Sequence, residues 1–172
     1  GHRMIRIAVC DDEKKYLDES AALLSEYALL RNIHFSVEQF ENPSDFLDKL
    51  DKGEKYDVYL LDVYMPGLTG VSIATELRRR NDEGPVIFLT SSRDHAVEAF
   101  GVGATHYLLK PYTKDDFFAA IDKAMHSIEQ DRPKTVLMKT VNGYHNISIS
   151  KIVYCESSNH NQTIYFVDEE PA

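Results

Sequence analysis

The sequence predicts an α/β fold, a doubly wound five-stranded parallel sheet, followed by a short all-β segment. Up to residue 129, short apolar runs alternate with amphipathic stretches, the pattern of strands and crossover helices in a parallel sheet. After residue 134 the alternation stops, and short strand-like runs with hairpin signals follow. Residues 130–134 are the predicted linker, because Pro133 cannot continue the preceding helix.

Each element of the parallel sheet can be justified from the order of these runs. The predicted strands are residues 4–10, 35–40, 56–62, 85–90 and 105–109. The predicted helices are residues 13–30, 43–52, 70–80, 94–100 and 113–128. The last helix has the clearest pattern, because apolar residues recur at i, i+4, i+7 and i+11 from Phe117 to Ile128. Thr113, with Asp116 three residues later, is typical of a helix start.

The C-terminal segment, residues 135–172, is predicted to be all-β. Its strand-like runs are residues 136–141, 144–149, 152–155 and 163–167. Asn142-Gly143 between the first two runs predicts a tight hairpin turn. The segment is too short and weakly apolar to predict an independent domain, and its sequence leaves open whether it is disordered, pairs with another copy or folds onto the preceding α/β part of the chain.

Composition excludes several classes of protein. A net charge of −9 argues against binding nucleic acid by bulk electrostatics. No run of about 18 apolar residues occurs, so no membrane association is expected. Cys10 and Cys155 both fall in strand-like runs, and we expect them to be reduced core thiols, as in a cytoplasmic protein.

Five polar residues stand where predicted strands end: Asp11, Asp12, Asp62, Thr90 and Lys110. Ligands of open parallel sheets bind outside the carboxyl ends of the strands, so these side chains are expected to share one small volume. Three carboxylates repel one another unless a cation lies among them, and an oxygen-only set suits Mg²⁺. An acidic metal pocket with one lysine predicts chemistry on a phosphoryl group.

Four motifs, taken together and in order, carry a family resemblance. They are residues 9–12, 61–70, 88–91 and 103–111, each at the end of a predicted strand. On these motifs, residues 4–129 resemble the receiver domain of bacterial response regulators, which implies a flavodoxin-like sheet. Residues 135–172, chiefly through 152–158, resemble the N-terminal part of a LytTR-type DNA-binding domain, truncated at Ala172.

The receiver resemblance implies that Asp62 is the phosphoacceptor, since a carboxylate can form an acyl phosphate. It also implies that Asp11, Asp12, Asp62 and the backbone carbonyl of Tyr64 hold Mg²⁺. The residues themselves leave other interpretations open. Asp62 could be a solvated residue that caps the next loop, and one of Asp11 and Asp12 could also cap the following helix.

The resemblance further implies that Thr90 and Lys110 bind the phosphoryl group, with Pro111 in a cis peptide that aims the lysine. Tyr107 is implied to be the aromatic residue that moves when Thr90 is drawn to the phosphate. The residues alone also allow Lys110 to extend into solvent, and Thr90 and Tyr107 to be ordinary strand residues.

The predicted function is that of a two-component response regulator, which is a switch and not a turnover enzyme. A histidine kinase would phosphorylate Asp62, and the surface formed by residues 94–100, 105–109 and 113–128 would then form a homodimer. Residues 157–162 resemble a DNA-reading loop, in which Asn159, His160 and Gln162 could contact DNA. Promoter DNA is expected to bind the full-length protein and not this truncated chain.

Two other functions stay open at this stage. A stand-alone receiver could signal by protein contact alone. An aspartate-nucleophile phosphatase is disfavoured, because those enzymes resemble this chain at Asp62 but usually carry a second aspartate where Tyr64 stands.

Overall fold

The structure is a computed structural model that describes residues 4–91, 103–104, 106–131, 135–140, 143–148, 152–158 and 161–166. Side chains are described in residues 4–91, 103–104 and 106–129. The chain divides into two units, Gly1–Ile128 and Glu129–Ala172.

Strands and helices alternate through the first unit. Its strands are β1 (Ile5–Cys10), β2 (Phe35–Phe40), β3 (Val58–Asp62), β4 (Val86–Thr90) and β5 (His106–Leu109). Its described helices are α1 (Lys14–Arg31), α2 (Pro43–Asp51), α3 (Gly70–Arg79) and α4 (Lys114–Asp131), the last of which continues into the second unit. The predicted helix at residues 94–100 lies outside the described residues.

The five strands form one parallel sheet in the order β2-β1-β3-β4-β5. Strand β1 has β2 on one side and β3 on the other. Strands β3, β4 and β5 then follow in order toward the opposite edge of the sheet. This order is that of a doubly wound, flavodoxin-like sheet. The predicted fold class of this unit is therefore confirmed.

The core has two layers because side chains alternate between the faces of each strand. In β1, Ile7 and Val9 belong to one buried cluster, whereas Ala8 and Cys10 belong to the other. All residues of β3 and β4 are buried, since helices cover both faces of a central parallel strand. The site described below therefore rests on the two most fully buried strands of the sheet.

The prediction for the last helix is confirmed. Phe117, Ile121 and Ala124 are fully buried on one face of α4, and Ile128 packs against the same cluster. The backbone N–H of Asp116 donates to Thr113 Oγ1 at 3.1 Å, which satisfies one of the free N–H groups at the helix start. None of the helices that the structure describes is long and apolar enough to cross a bilayer.

The second unit contains two antiparallel hairpins. Strand β6 (Thr135–Thr140) pairs with β7 (Gly143–Ser148), and β8 (Ile152–Ser158) pairs with β9 (Asn161–Phe166). These strands agree with the all-β pattern predicted for this segment.

One prediction in the second unit is wrong. Residues 157–162 were expected to form a loop, but Ser157 pairs with Gln162 and Ser158 pairs with Asn161 in the β8–β9 ladder. The strands run further because backbone pairing does not require apolar side chains, so the end of the apolar run did not mark the end of the strand. Of the residues expected to contact DNA, Gln162 lies in β9, and Asn159 and His160 lie outside the described residues.

Candidate functional site

The polar residues predicted at the strand ends converge at one edge of the sheet. Asp11 follows β1, Asp62 and Thr90 are the last residues of β3 and β4, and Lys110 follows β5. The backbone N–H of Lys110 donates to the carbonyl of Thr90 at 2.7 Å, so the sheet pairing fixes their relative position. These four residues are buried, whereas Asp12 is exposed at the mouth of the site.

Three carboxylates lie close enough together to hold one cation. Oxygen atoms of Asp11, Asp12 and Asp62 all lie within 4.8 Å of one another. Asp11 Oδ1 accepts a hydrogen bond from the backbone N–H of Glu13 at 2.9 Å, but Asp11 Oδ2 is buried without a hydrogen-bond partner among the described residues. Buried oxygens are normally satisfied, and a cluster of three carboxylates with one unsatisfied buried oxygen fits a hard divalent cation such as Mg²⁺.

Lys110 supplies the positive charge of the site. Its ammonium Nζ lies 2.8 Å from Asp11 Oδ2 and 3.6 Å from Asp62 Oδ2. The side chain is 3% exposed, so it does not extend into solvent as one sequence interpretation allowed. The contact with Asp11 is close but is not aligned as a hydrogen bond. The ammonium is therefore held chiefly by the charges of Asp11 and Asp62.

The pKa of the Asp62 carboxyl group is strongly perturbed. Burial is the main cause that raises its pKa to about 8, and the charge of Asp11 adds to it. Lys110 and the backbone N–H of Tyr64, which donates to Asp62 Oδ1 at 3.3 Å, act in the opposite direction. One ammonium does not balance three carboxylates, so the pocket favours an additional proton or cation.

This shift predicts how stability depends on pH when no divalent cation is present. The folded state binds the Asp62 proton more tightly than the unfolded chain does, so the stabilising contribution is complete below pH 4 and is lost as the pH rises to about 8. We expect urea unfolding in EDTA to show this decline in the wild-type chain. In Asp62→Asn the decline should be smaller, and equal slopes in the two proteins would contradict the assigned pKa.

The loop after β3 and the start of α3 pack against the backbone of Asp62. The backbone N–H of Gly70, the first residue of α3, donates to the carbonyl of Val63 at 3.0 Å. A Cβ atom at Gly70 would lie 2.2 Å from the backbone oxygen of Asp62, so only glycine allows the helix to approach the strand this closely. Thr69 begins the helix, its Oγ1 accepting from the backbone N–H of Ser72 at 3.1 Å.

Tyr16 and Tyr112 border the site and were not identified from the sequence. The Tyr16 ring faces Lys110 Nζ, 4.1 Å from the ring centroid, and the hydroxyl of Tyr112 lies 3.1 Å from Ser20 Oγ. The available signal was a tyrosine one turn into the helix that follows Asp11-Asp12, which reads equally well as an ordinary core residue.

The remaining predicted site residues lie in β5 and in the loops after β3 and β5. Tyr107 lies in β5, half-buried against the cluster on the α2 and α3 side of the sheet. Tyr64 is 42% exposed in the loop after β3. The peptide bond between Lys110 and Pro111 is cis.

The comparison with known families gives a clear match. A model described as the response regulator receiver domain matches residues 7–122. The match begins in β1 and ends in α4, so it contains every residue of the pocket described above.

Two curated proteins and one solved structure are similar to this part of the chain. The positive alginate biosynthesis regulatory protein of Pseudomonas aeruginosa is 34% identical over 120 residues, which are 70% of this chain and 47% of that protein. The DNA-binding transcriptional regulator NtrC of Escherichia coli is 37% identical over 100 residues, 56% of this chain and 21% of that protein. The response regulatory domain of protein mrkE from Klebsiella pneumoniae is 26% identical, with a TM-score of 0.67 over 74% of this chain and 100% of that domain. The chain thus spans less than half the length of these curated relatives.

Proposed function

The chain belongs to the response regulator receiver domain family, and on this premise we propose that it is a phosphorylation-dependent switch whose phosphoacceptor is Asp62. One observation carries the proposal. Asp62 ends a fully buried strand, and its carboxyl group faces two further carboxylates and an ammonium 3.6 Å away. A rigidly held nucleophile beside a cation-binding cluster is what phosphoryl transfer requires.

In the proposed reaction, a carboxylate oxygen of Asp62 attacks the phosphorus atom of a phosphohistidine on a partner histidine kinase. The bond from phosphorus to Asp62 forms while the phosphorus–nitrogen bond of the donor breaks, and the imidazole leaves with the electron pair. Water later attacks the phosphorus of the acyl phosphate, which returns the carboxylate and inorganic phosphate. The chain is thereby switched on and off and does not turn over a substrate as an enzyme does.

Asp11, Asp12 and Asp62 are proposed to hold Mg²⁺, with the backbone carbonyl of Tyr64 as a further ligand. Three carboxylate oxygens and one carbonyl oxygen would fill four of the six positions of octahedral Mg²⁺, which leaves room for water and a donor phosphate oxygen. When bound, the ion would offset the repulsion between the carboxylates and the incoming phosphate. Asp11 Oδ2, which now lies 2.8 Å from the Lys110 ammonium without an aligned hydrogen bond, would be one of its ligands.

Lys110 is proposed to turn from Asp11 toward the phosphoryl oxygens once Asp62 is modified, and the Thr90 hydroxyl to donate to the same group. Both follow from position: Lys110 Nζ is already within 4 Å of Asp62, and Thr90 is joined to Lys110 through the backbone. Tyr107 lies on β5, three residues before Lys110, so movement of the β4–β5 edge would reach it. We propose that this movement changes the surface of the receiver.

The output is proposed to be control of transcription in the cytoplasm, through phosphorylation-dependent homodimers that bind promoter DNA by a LytTR-type domain. The family match supports a soluble receiver partnered by a histidine kinase, and the two hairpins of the second unit support an all-β effector. Sedimentation of the phosphorylated and unphosphorylated chain would test the homodimer, and an unchanged association constant would contradict it.

Labelling with a small phosphodonor tests the central proposal. We expect acetyl phosphate with Mg²⁺ to add one phosphoryl group to the chain, as measured by intact-mass spectrometry, and EDTA to prevent it. Peptide mapping after borohydride reduction of the acyl phosphate should find the modification at Asp62. Labelling that persists in EDTA, or that maps to another residue, would contradict the proposed site.

A further inference from the structure

Lys110 has an aromatic partner on α1 in addition to its two carboxylates. Its Nζ lies 4.1 Å from the centroid of the Tyr16 ring, inside the range of about 6 Å in which a cation is attracted to an aromatic face. The Lys110 side chain is almost fully buried and its ammonium makes no aligned hydrogen bond among the described residues. The ring and the two carboxylates are therefore the described groups that attract this ammonium.

The Tyr16 ring is itself held in place. It lies 5.9 Å from the ring of Tyr112, which comes two residues after Lys110 in the chain. The Tyr112 hydroxyl lies 3.1 Å from Ser20 Oγ, and Ser20 is one turn beyond Tyr16 on α1. Helix α1 and the loop that carries Lys110 are thus joined at two points, and Tyr16 forms one of them.

We propose that Tyr16 is a positioning residue for phosphoryl transfer, whose ring face holds the Lys110 ammonium beside the Asp62 carboxyl group. This inference rests on the proposed function of Asp62. It assigns no chemical step to Tyr16, which acts only through Lys110.

The contact is compatible with both states of the switch. To reach a phosphoryl group on Asp62, the ammonium has to close a gap that is now 3.6 Å to the carboxylate oxygen. A shift of an ångström or so leaves Nζ within cation–π range of Tyr16, because it starts at 4.1 Å. The ring then restricts the ammonium before and after transfer. Removing the Tyr16 ring would give the Lys110 side chain additional conformational freedom, which must be lost again when the phosphate binds.

The electrostatic contact can be separated from packing at this position. We expect Tyr16→Leu to slow phosphorylation by acetyl phosphate about 5-fold, because the contact persists in both states and only the cost of ordering the freed ammonium enters the rate. Tyr16→Phe should keep a rate within about twofold of wild type, because the ring face is retained. A series of increasingly fluorinated phenylalanines at position 16 keeps the ring shape but withdraws its electrons, so the rate should fall steadily along the series.

Lys15 provides the matched control, because its ammonium also lies over the Tyr16 ring, at 5.6 Å, but the side chain is exposed. Lys15→Gln should not change the rate. A flat fluorination series, or equal rates for Tyr16→Phe and Tyr16→Leu, would overturn the role of Tyr16. Those outcomes leave labelling of Asp62 in the wild-type chain intact, whereas failure of the proposed function would abolish labelling in every variant.

Discussion

Asp62→Asn is expected to abolish phosphoryl labelling completely. An amide has nearly the shape of a carboxylate, but it lacks the negatively charged oxygen that attacks phosphorus. The substitution should not unfold the chain, because it removes one negative charge from a buried cluster that already has more carboxylates than cations. Intact-mass spectrometry after treatment with acetyl phosphate and Mg²⁺ measures the loss directly.

Asp18→Asn is the control for this experiment. Asp18 is an exposed residue of α1, and its replacement makes the same change in mass and charge away from the pocket. We expect it to be labelled as the wild-type chain is. Equal labelling of Asp62→Asn and Asp18→Asn would show that the phosphoryl group resides on another residue.

The sheet was predictable because its signals are local. Strands β3 and β4 are buried on both faces, so their sequences are continuous apolar runs that end abruptly at Asp62 and Thr90. The rule that ligands bind at the carboxyl ends of parallel strands then brings the four strand ends together without any coordinates. The acidic pocket and its lysine followed from these two facts.

The residues that support the pocket were not predictable in the same way. The contact of Tyr16 with Lys110 joins residues that are far apart in sequence, and nothing in the periodicity of α1 distinguishes Tyr16 from a core residue. Gly70 is required because α3 meets the backbone of Asp62, which is a matter of packing geometry. The β8–β9 turn was misjudged for a related reason, since backbone pairing carried the strands beyond their apolar residues.

The expected effect of the buried Lys110 ammonium on stability can be compared with that of the exposed Lys114 ammonium. Lys110 Nζ lies 2.8 Å from Asp11 Oδ2 with both side chains buried, and Lys114 Nζ lies 2.7 Å from Glu26 Oε1 with both side chains about half exposed. The two ion pairs thus have almost the same length and differ in solvent access. Exposed pairs of this kind contribute at most about 1 kcal/mol, because water and salt screen them.

At about pH 9 in EDTA, where Asp62 is ionised, Lys110→Met is therefore expected to lower the free energy of unfolding by about 3 kcal/mol, because it leaves Asp11 and Asp62 buried without their cation. Lys114→Met should cost less than about 1 kcal/mol.

Mg²⁺ should restore part of the loss in Lys110→Met, since a divalent cation among the carboxylates replaces the missing charge. Adding Asp62→Asn to Lys110→Met should also reduce the loss, because the amide removes one of the uncompensated charges. Urea unfolding of the four proteins measures these differences, and equal losses from the two lysine substitutions would show that Lys110 does not balance the pocket.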